Sequence, residues 1–143
     1  MLWTGAVKKP QKHRQYAALP WRDTGAGRQV LLISSRDSGR WVIPKGWPIK
    51  GLSPAQTAAR EAFEEAGLGG QVSKKPIGEF DYGKKLDNGR VQACRVEVYG
   101  LEQHIQHPEW PEQGQRRLQW FTVREAAEAV EEPDLKRIIR NLK

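Results

Sequence analysis

Three carboxylates are the clearest chemical feature of this sequence. Glu61, Glu64 and Glu65 lie in a segment rich in Ala, Gln, Arg and Glu, which are good helix formers. In a helix their spacing places all three side chains on one face, where like charges repel by ~0.2–0.5 kcal/mol per pair. A divalent cation removes that repulsion, and Mg²⁺ in particular binds carboxylates together with water and phosphate oxygens. The pattern therefore indicates either a divalent-cation site or a solvated acidic helix face.

The helix that carries these glutamates has clear start and stop signals. Ser53 and Gln56 have the spacing of a capping box, and Pro54 occupies the first helical position, where its missing N–H has no cost. Gly67 ends the pattern, because the residue after a last helical turn often adopts the left-handed conformation that suits glycine. We therefore predict a helix over Pro54–Ala66.

The composition restricts the class of protein. The chain of 143 residues is 38% hydrophobic and 29% charged, which is typical of one globular domain. Its single cysteine, Cys94, excludes an internal disulfide and fits a reducing compartment. No apolar run approaches the ~20 residues of a membrane span, and the N-terminus lacks the apolar region of a signal peptide. We expect a cytoplasmic protein without a membrane partner: a flexible basic segment over residues 1–12, then one domain over residues 13–143.

The net charge of +7 comes from 24 basic and 17 acidic residues. Such a surface attracts nucleic acid, an anionic membrane or a small polyanion, and it is equally compatible with a basic protein that has no anionic partner. The sequence lacks an Arg-rich helix, zinc-ligand spacing and an RNP-type aromatic run. Nucleic acid is therefore the less favoured partner, and the oligomeric state is left open.

Strand signals surround the glutamate helix, and two further helix signals follow them. An Asn-Gly pair at 88–89 indicates a hairpin turn, and the polar, Pro-interrupted segment 103–115 indicates a long loop. We predict strands over 13–22, 29–35, 41–43, 71–80, 91–100 and 118–121, and late helices over 122–131 and 134–142. This order is typical of an α+β protein or an α/β/α sandwich.

The residues around the three glutamates closely resemble the box motif of the Nudix hydrolases. The positions that match the box are Gly46, Arg60, Glu61, Glu64, Glu65, Gly67 and Leu68. The chain departs from it at Leu52, where the box has its first glutamate, and at Ala62, where it has a bulky aliphatic residue. The resemblance implies the sandwich, with a mixed β-sheet flanked by helices. Because the missing glutamate supports the box arginine in the family, Leu52 predicts an altered loop with the helix carboxylates retained.

The resemblance also implies roles for the box residues. Glu61 and Glu65 are expected to bind Mg²⁺, or Mn²⁺ in its place, together with the backbone carbonyl of Lys45. Glu64 is the candidate general base or water-positioning residue, and Arg60 is expected to hold the acidic group by ion pairing. Such a site neutralises charge on the phosphate oxygens and orients water for in-line attack on a phosphoanhydride.

Other polar residues are candidates for substrate contacts, with a solvated surface position as the alternative for each. The cations and hydroxyl in this group are Arg14, Ser35, Arg36, Arg40, Lys45, Lys50, Arg116 and Arg117. Glu109 and Glu112 lie in the long loop, where the family often adds a carboxylate that binds metal or acts as base. Trp47 and Trp110 lie in loops near the predicted site and would either stack on a base or cover the core.

These observations favour a Mg²⁺-dependent Nudix pyrophosphohydrolase that acts on a highly phosphorylated small molecule. Segments 30–48 and 116–130 resemble the diphosphoinositol-polyphosphate and diadenosine-polyphosphate branch of the family, which implies a dinucleoside polyphosphate or an inositol pyrophosphate as substrate. One alternative is an enzyme that removes pyrophosphate from RNA 5′ ends or sanitises nucleotides. Another is a catalytically silent Nudix-fold sensor of nucleotides or RNA. The sequence does not distinguish among the substrates or identify the catalytic base.

Overall fold

A mixed β-sheet of eight strands organises the part of the chain that the computed structural model describes, residues 13–142. The strands are β1 (His13–Thr24), β2 (Gly27–Ser34), β3 (Trp41–Val42), β4 (Lys45–Gly46), β5 (Leu68–Val72), β6 (Gly78–Lys85), β7 (Val91–Gln106) and β8 (Leu118–Thr122). The helices are α1 (Pro54–Ala66), α2 (Val123–Ala129) and α3 (Pro133–Arg140). The flexible basic segment predicted over residues 1–12 lies outside the described residues.

The centre of the sheet is the parallel pair of β1 and β7, with a register that runs from His13–Cys94 to Trp21–Glu102. Every other pairing is antiparallel within residues 13–142. β1 also pairs with β2 and β4, β7 with β5 and β6, and β2 with β3 and β8. The β1–β4 pairing brings the loop before α1 to the middle of the sheet.

Helices cover both faces of this sheet. Because side chains alternate along a strand, Ala17 and Leu19 of β1 pack in the core with α2 and α3, whereas Ala18 packs in the core with α1. The α1 side is built from small residues, which let the helix approach the sheet closely. These are Ala58, Ala62 and Ala66, all fully buried. The α/β/α sandwich is therefore confirmed, and Ala62 fits a position with no room for a bulky aliphatic side chain.

The predicted ends of α1 are confirmed. Ser53 Oγ accepts a hydrogen bond from Gln56 N at 3.2 Å, and Ser53 N donates to Gln56 Oε1 at 2.9 Å, which completes the capping box. Gly67 follows the helix with a left-handed φ of +70°. Thr122 and Glu125 form the same reciprocal pair at the start of α2. Local sequence alone is enough to place these helix starts.

The strand predicted over 71–80 is wrong, since this segment forms two strands. Ser73 Oγ donates to Lys75 O at 2.8 Å in a turn that separates β5 from β6. The turn stays attached to β7, because Ser73 N donates to Gly100 O at 2.8 Å. Both strands therefore pair with the same long neighbour.

The loop predicted over 103–115 begins later than expected. β7 continues to Gln106 and pairs with β5 across an irregularity between Gly69 and Gly70. The two late helices also shift slightly, since α2 ends at Ala129 and α3 spans Pro133–Arg140. Within residues 13–142, no helix has the length and apolar character that crossing a membrane requires.

Gly67→Ala is expected to destabilise the protein more than Gly39→Ala. Both glycines have left-handed backbones, with φ values of +70° and +73°, so alanine costs ~1–2 kcal/mol at each. A Cβ at Gly67 would also lie 2.4 Å from the Trp110 ring, whereas a Cβ at Gly39 would meet nothing within 4 Å. We expect the free energy of unfolding, measured by urea denaturation, to fall by ~1–3 kcal/mol more in the Gly67 variant than in the Gly39 variant. Equal losses would show that Trp110 moves away freely.

Candidate active site

A cavity of about 640 Å³ lies where α1, the β4 loop, β6 and the loop before β8 meet. Most of the predicted site residues line it, although they come from distant parts of the sequence. They are Glu61, Glu64, Glu65, Arg60, Ser35, Arg36 and Lys45. The fold thus brings the glutamate face of α1 together with several of the predicted phosphate contacts.

Arg14 and Arg40, also predicted to contact substrate, do not line this cavity. Arg14 Nη1 lies 3.2 Å from Glu79 Oε1 and 3.1 Å from Glu97 Oε2. Arg40 Nη1 lies 2.9 Å from Glu132 Oε2, just before α3. Both guanidinium groups are therefore engaged in ion pairs that join elements of the fold. The sequence could not show this, because each acidic partner is far away along the chain.

Gly46 allows Glu61 to approach the backbone of the β4 loop. A Cβ at Gly46 would lie 2.4 Å from both Cδ and Oε1 of Glu61. Gly46 does not have a positive φ, so close approach is the reason for glycine here. Its backbone is fixed by pairing with Tyr16 of β1. The Glu61 carboxylate consequently lies against the Gly46 backbone.

Glu65 is the most buried of the three glutamates, with 4% of its surface exposed. Its Oε2 accepts a hydrogen bond from Lys45 N at 3.2 Å, and its Oε1 lies 3.3 Å from Arg116 Nη2. Burial, followed by a hydrogen bond with Glu61, raises the pKa of Glu65 to about 9. Burial also raises the pKa of Glu61. We therefore expect protons and a divalent cation to compete for these carboxylates.

Arg116 has a role at this site that the sequence did not indicate. Its Nη1 donates to the Ser34 carbonyl at 3.2 Å, and its Nη2 lies 3.3 Å from both Glu65 Oε1 and Glu112 Oε1. The side chain is only 10% exposed. Arg116, predicted only as a phosphate contact, thus links β2, α1 and the loop before β8.

The loop between β7 and β8 is attached to the end of α1. Glu112 N donates to Glu64 O at 3.0 Å, and His107 N donates to Gly67 O at 2.8 Å. The Glu112 side chain lines the cavity, whereas Glu109 does not. Of the two candidate loop carboxylates, Glu112 is therefore the one that the fold places at the site.

The two candidate loop tryptophans have different positions. Trp47 lines the cavity. The Trp110 ring instead packs over Gly67 at the end of α1 and does not line the cavity. Trp110 is thus a packing residue, and Trp47 is the tryptophan that belongs to the site.

β1 and β6 supply cavity residues that the sequence analysis did not select. These are Gln15, Tyr82 and Lys84. Tyr82 Oη donates to Gln15 Oε1 at 2.6 Å, and Lys45 Nζ lies 4.9 Å from the centre of the Tyr82 ring. Burial lowers the pKa of Lys45 to about 8. Tyr82 and Lys84 lie beyond the end of the strand predicted over 71–80, and the observed extent of β6 with its pairing to β7 brings them to the cavity that Lys45 lines.

Arg60 lies at the cavity and is exposed. Within residues 13–142 it forms no ion pair, so the ion pairing with the acidic group that the resemblance implied is not formed in this arrangement. This result matches the presence of Leu52 where the family has a glutamate. The cation that contacts the helix carboxylates here is Arg116.

The donor set fits a hard divalent cation. Glu61 lies against the Gly46 backbone and Glu65 accepts a hydrogen bond from Lys45 N, so both carboxylates lie at the Lys45–Gly46 segment, which offers backbone oxygens. No cluster of three His, Cys, Asp or Glu side chains suited to a metal ion is present in the described residues. Two carboxylates would therefore be joined by backbone, water or substrate oxygens, which is how proteins usually bind Mg²⁺.

Replacing Arg116 by Met is expected to tighten cation binding and to slow turnover. Arg116 places a positive charge 3.3 Å from Glu65 Oε1, in competition with a bound cation. Two unit charges ~4 Å apart interact by ~1 kcal/mol in water and by ~4 kcal/mol at an effective dielectric constant near 20, so we expect removal of the Arg116 charge to raise the Mg²⁺ affinity at least ~fivefold. The Mg²⁺ affinity is measured by calorimetry of the substrate-free protein. Arg117→Met is the control, because Arg117 contacts Gly39 O and Trp41 and not the carboxylates. Weaker Mg²⁺ binding in the Arg116 variant would contradict this view of competing charges.

The chain belongs to the Nudix family, since the NUDIX domain matches residues 11–142. Members of this family generally use divalent metal ions. The family and the fold predicted from the glutamate motif are therefore both confirmed.

Several curated relatives are similar to this chain. Nudix hydrolase 13, mitochondrial, of Arabidopsis thaliana is 33% identical over 105 residues, which are 70% of this chain and 52% of that protein. Diphosphoinositol polyphosphate phosphohydrolase 3-beta of Homo sapiens is 27% identical over 134 residues, covering 86% of this chain and 77% of that protein. The chain thus spans about half the length of the Arabidopsis protein. Cytoplasmic location remains a prediction, because that relative is mitochondrial.

Solved structures show the same fold at low sequence identity. The Ap4A hydrolase of C. elegans aligns with a TM-score of 0.63 at 16% identity, over 91% of this chain and 95% of that one. The NUDIX domain of Shewanella oneidensis NrtR, complexed with ADP ribose, aligns with a TM-score of 0.65 at 14% identity, over 91% and 86%. The names of the two curated relatives above are those of hydrolases, in line with the predicted enzyme class.

Proposed function

We propose that this protein is a Mg²⁺-dependent pyrophosphohydrolase that cleaves a phosphoanhydride bond in a small, highly phosphorylated molecule. The observation that carries the proposal is the contact between the Glu61 carboxylate and Gly46, with Glu65 held beside it by the Lys45 amide. This arrangement presents two acidic oxygen donors to a cavity that also contains basic side chains. Metal-assisted hydrolysis of a polyphosphate requires both features.

The residues of the site divide into two roles. Glu61, Glu65 and the Lys45 carbonyl would hold the Mg²⁺, which supplies charge neutralisation and a polarised water when bound. Glu64 lines the same cavity and forms no part of the Glu65–Arg116 contact, so it is free to take the proton of the attacking water. Glu65 is buried and already accepts a hydrogen bond from Lys45 N, which favours Glu64 as the carboxylate that accepts this proton.

The cavity favours a substrate with several phosphates. Arg36, Lys45, Arg60 and Lys84 line it, in addition to Arg116. Lysine and arginine bind phosphate oxygens as point charges and as bidentate donors respectively. A dinucleoside polyphosphate or an inositol pyrophosphate would match this number of cations. The names of the C. elegans and human proteins described above point to the same two substrate classes.

One observation favours a second candidate function, a catalytically silent sensor that binds such polyphosphates without cleaving them. Arg60 has no ion-pair partner within residues 13–142, and Leu52 replaces the box glutamate that would support it. A sensor would bind the polyphosphate without turnover, whereas the hydrolase releases phosphate.

The test is phosphate release from a panel of diadenosine polyphosphates, inositol pyrophosphate, ADP-ribose and nucleoside triphosphates. Each compound is assayed with Mg²⁺, with a chelator and with the Glu64→Gln variant. We expect Mg²⁺-dependent turnover that falls ~10²–10⁴-fold in the variant, the usual contribution of a general base. Tight binding without turnover on every compound, in a folded protein, would favour the sensor.

A further inference from the structure

Trp47 stands out among the exposed hydrophobic side chains because of where it lies. Four large hydrophobic residues within residues 13–142 are exposed: Trp47, Ile77, Val91 and Ile105. Of these, Trp47 is the one that lines the glutamate cavity, and 40% of its surface is exposed. An indole with this much surface in contact with water beside a basic, metal-binding cavity is suited to an apolar or aromatic part of a ligand.

The other tryptophans of the described region are covered by the protein. Trp41 packs edge-on against Phe121, the guanidinium groups of Arg28 and Arg22 lie over Trp21 and Trp120, and Trp110 packs over Gly67. Trp47 differs from them. Within residues 13–142 no ring stacks on it and no cation covers it, and its one ring contact is His13 at 6.2 Å and 84°.

The backbone of Trp47 has a restricted position next to the glutamate site. Trp47 follows Gly46, which lies against the Glu61 carboxylate and pairs through its backbone with Tyr16. Pro48 follows it, and a residue before proline is restricted to extended conformations. Trp47 is therefore anchored through its backbone one residue after Gly46, and its side chain lines the same cavity as Glu61 and Glu65.

We propose that Trp47 is a stacking surface for a nucleobase, so that the substrate of this site is a nucleoside polyphosphate. The inference rests on the proposed function and specifies its substrate class. A base stacked on the indole leaves its phosphates within the same cavity as Lys45 and Lys84. An inositol pyrophosphate has no aromatic face and gains nothing from this contact.

The experiment compares the binding of ATP and of inorganic tripolyphosphate by calorimetry, with Mg²⁺ and in the Glu64→Gln background to suppress turnover. Trp47→Leu keeps an apolar side chain but removes the aromatic face, and Trp47→Phe keeps an aromatic face. We expect Trp47→Leu to weaken ATP binding about tenfold, a typical loss for one base–aromatic stack, and to leave tripolyphosphate binding unchanged. Trp47→Phe is expected to retain most of the ATP affinity.

Two outcomes would overturn the inference. Equal weakening of ATP and tripolyphosphate binding in Trp47→Leu would show that the residue only shapes the loop, and unchanged ATP binding would show that no base stacks there.

The proposed function can be rejected independently of this inference. ATP binding that depends on Trp47, together with no hydrolysis of any compound in the panel by the protein with Glu64 intact, would support the inference and reject the hydrolase. Hydrolysis of inositol pyrophosphate with no effect of Trp47→Leu on ATP binding would support the hydrolase and reject base stacking on Trp47.

Discussion

Glu65→Gln is expected to lower Mg²⁺-dependent turnover by at least ~100-fold, because a metal ligand contributes several kcal/mol to stabilising the transition state. Glutamine has the same shape, and its amide oxygen can still accept the hydrogen bond that Lys45 N now donates to Glu65 Oε2. What is lost is an oxygen beside Arg116 that becomes anionic when it binds a metal ion. We therefore expect the fold to persist while the site loses one of its two acidic donors.

Glu112→Gln is the matched control for this variant. Glu112 contacts the same Arg116 nitrogen at the same distance of 3.3 Å as Glu65 does. It lies in the loop and lines the cavity, but the ligands proposed here for Mg²⁺ are Glu61, Glu65 and the Lys45 carbonyl. Initial rates over a range of Mg²⁺ concentrations should show a smaller loss, within ~10-fold, the usual scale for a residue that supports a metal site. If Glu65→Gln turns over at nearly the rate of the unaltered protein at saturating Mg²⁺, Glu65 is not a metal ligand.

Gly46→Ala is expected to lower turnover ~10–100-fold with little change in stability. The added Cβ would lie 2.4 Å from Cδ of Glu61, so the carboxylate must move away from the β4 loop. Because Glu61 borders the open cavity, it has space to move without unfolding the core. A displacement of ~1 Å in a reacting site can cost 100-fold in rate.

Gly25→Ala controls for the general effect of losing a glycine. Gly25 has no positive φ, and a Cβ there would meet nothing within 4 Å. Turnover and thermal unfolding are measured for both variants, and the Gly25 variant should match the unaltered protein in both. Full activity in Gly46→Ala would mean that Glu61 has no fixed position in the working site.

The loss of the box glutamate has a visible structural consequence. Arg60 is left without an ion pair in the described residues, and the guanidinium group that lies 3.3 Å from Glu65 Oε1 is that of Arg116. Arg116 is in turn held by the Ser34 carbonyl and by Glu112. The support of the carboxylates thus comes from the loop before β8, which is attached to α1 through Glu64 O. Substitutions in that loop are therefore expected to alter the positions of the carboxylates at the candidate active site.

The sequence by itself determined the features that depend on neighbouring residues. Capping pairs and a terminal glycine act within one or two turns, so Ser53 and Gly67 were sufficient to place α1. Helical periodicity then put Glu61, Glu64 and Glu65 on one face, and their spacing from Gly46 was sufficient to identify the family. None of these features requires knowledge of the path of the chain.

Only the tertiary structure decided which side chains share the site. Arg14 and Arg40 are used in ion pairs elsewhere, while Lys84 and Arg116 reach the cavity through the pairing of β6 with β7 and the attachment of the loop to α1. The physical reason is that a cation pairs with whichever carboxylate the fold places within ~4 Å. That distance depends on strand register between distant segments, and a shift of one residue would turn each side chain to the opposite face.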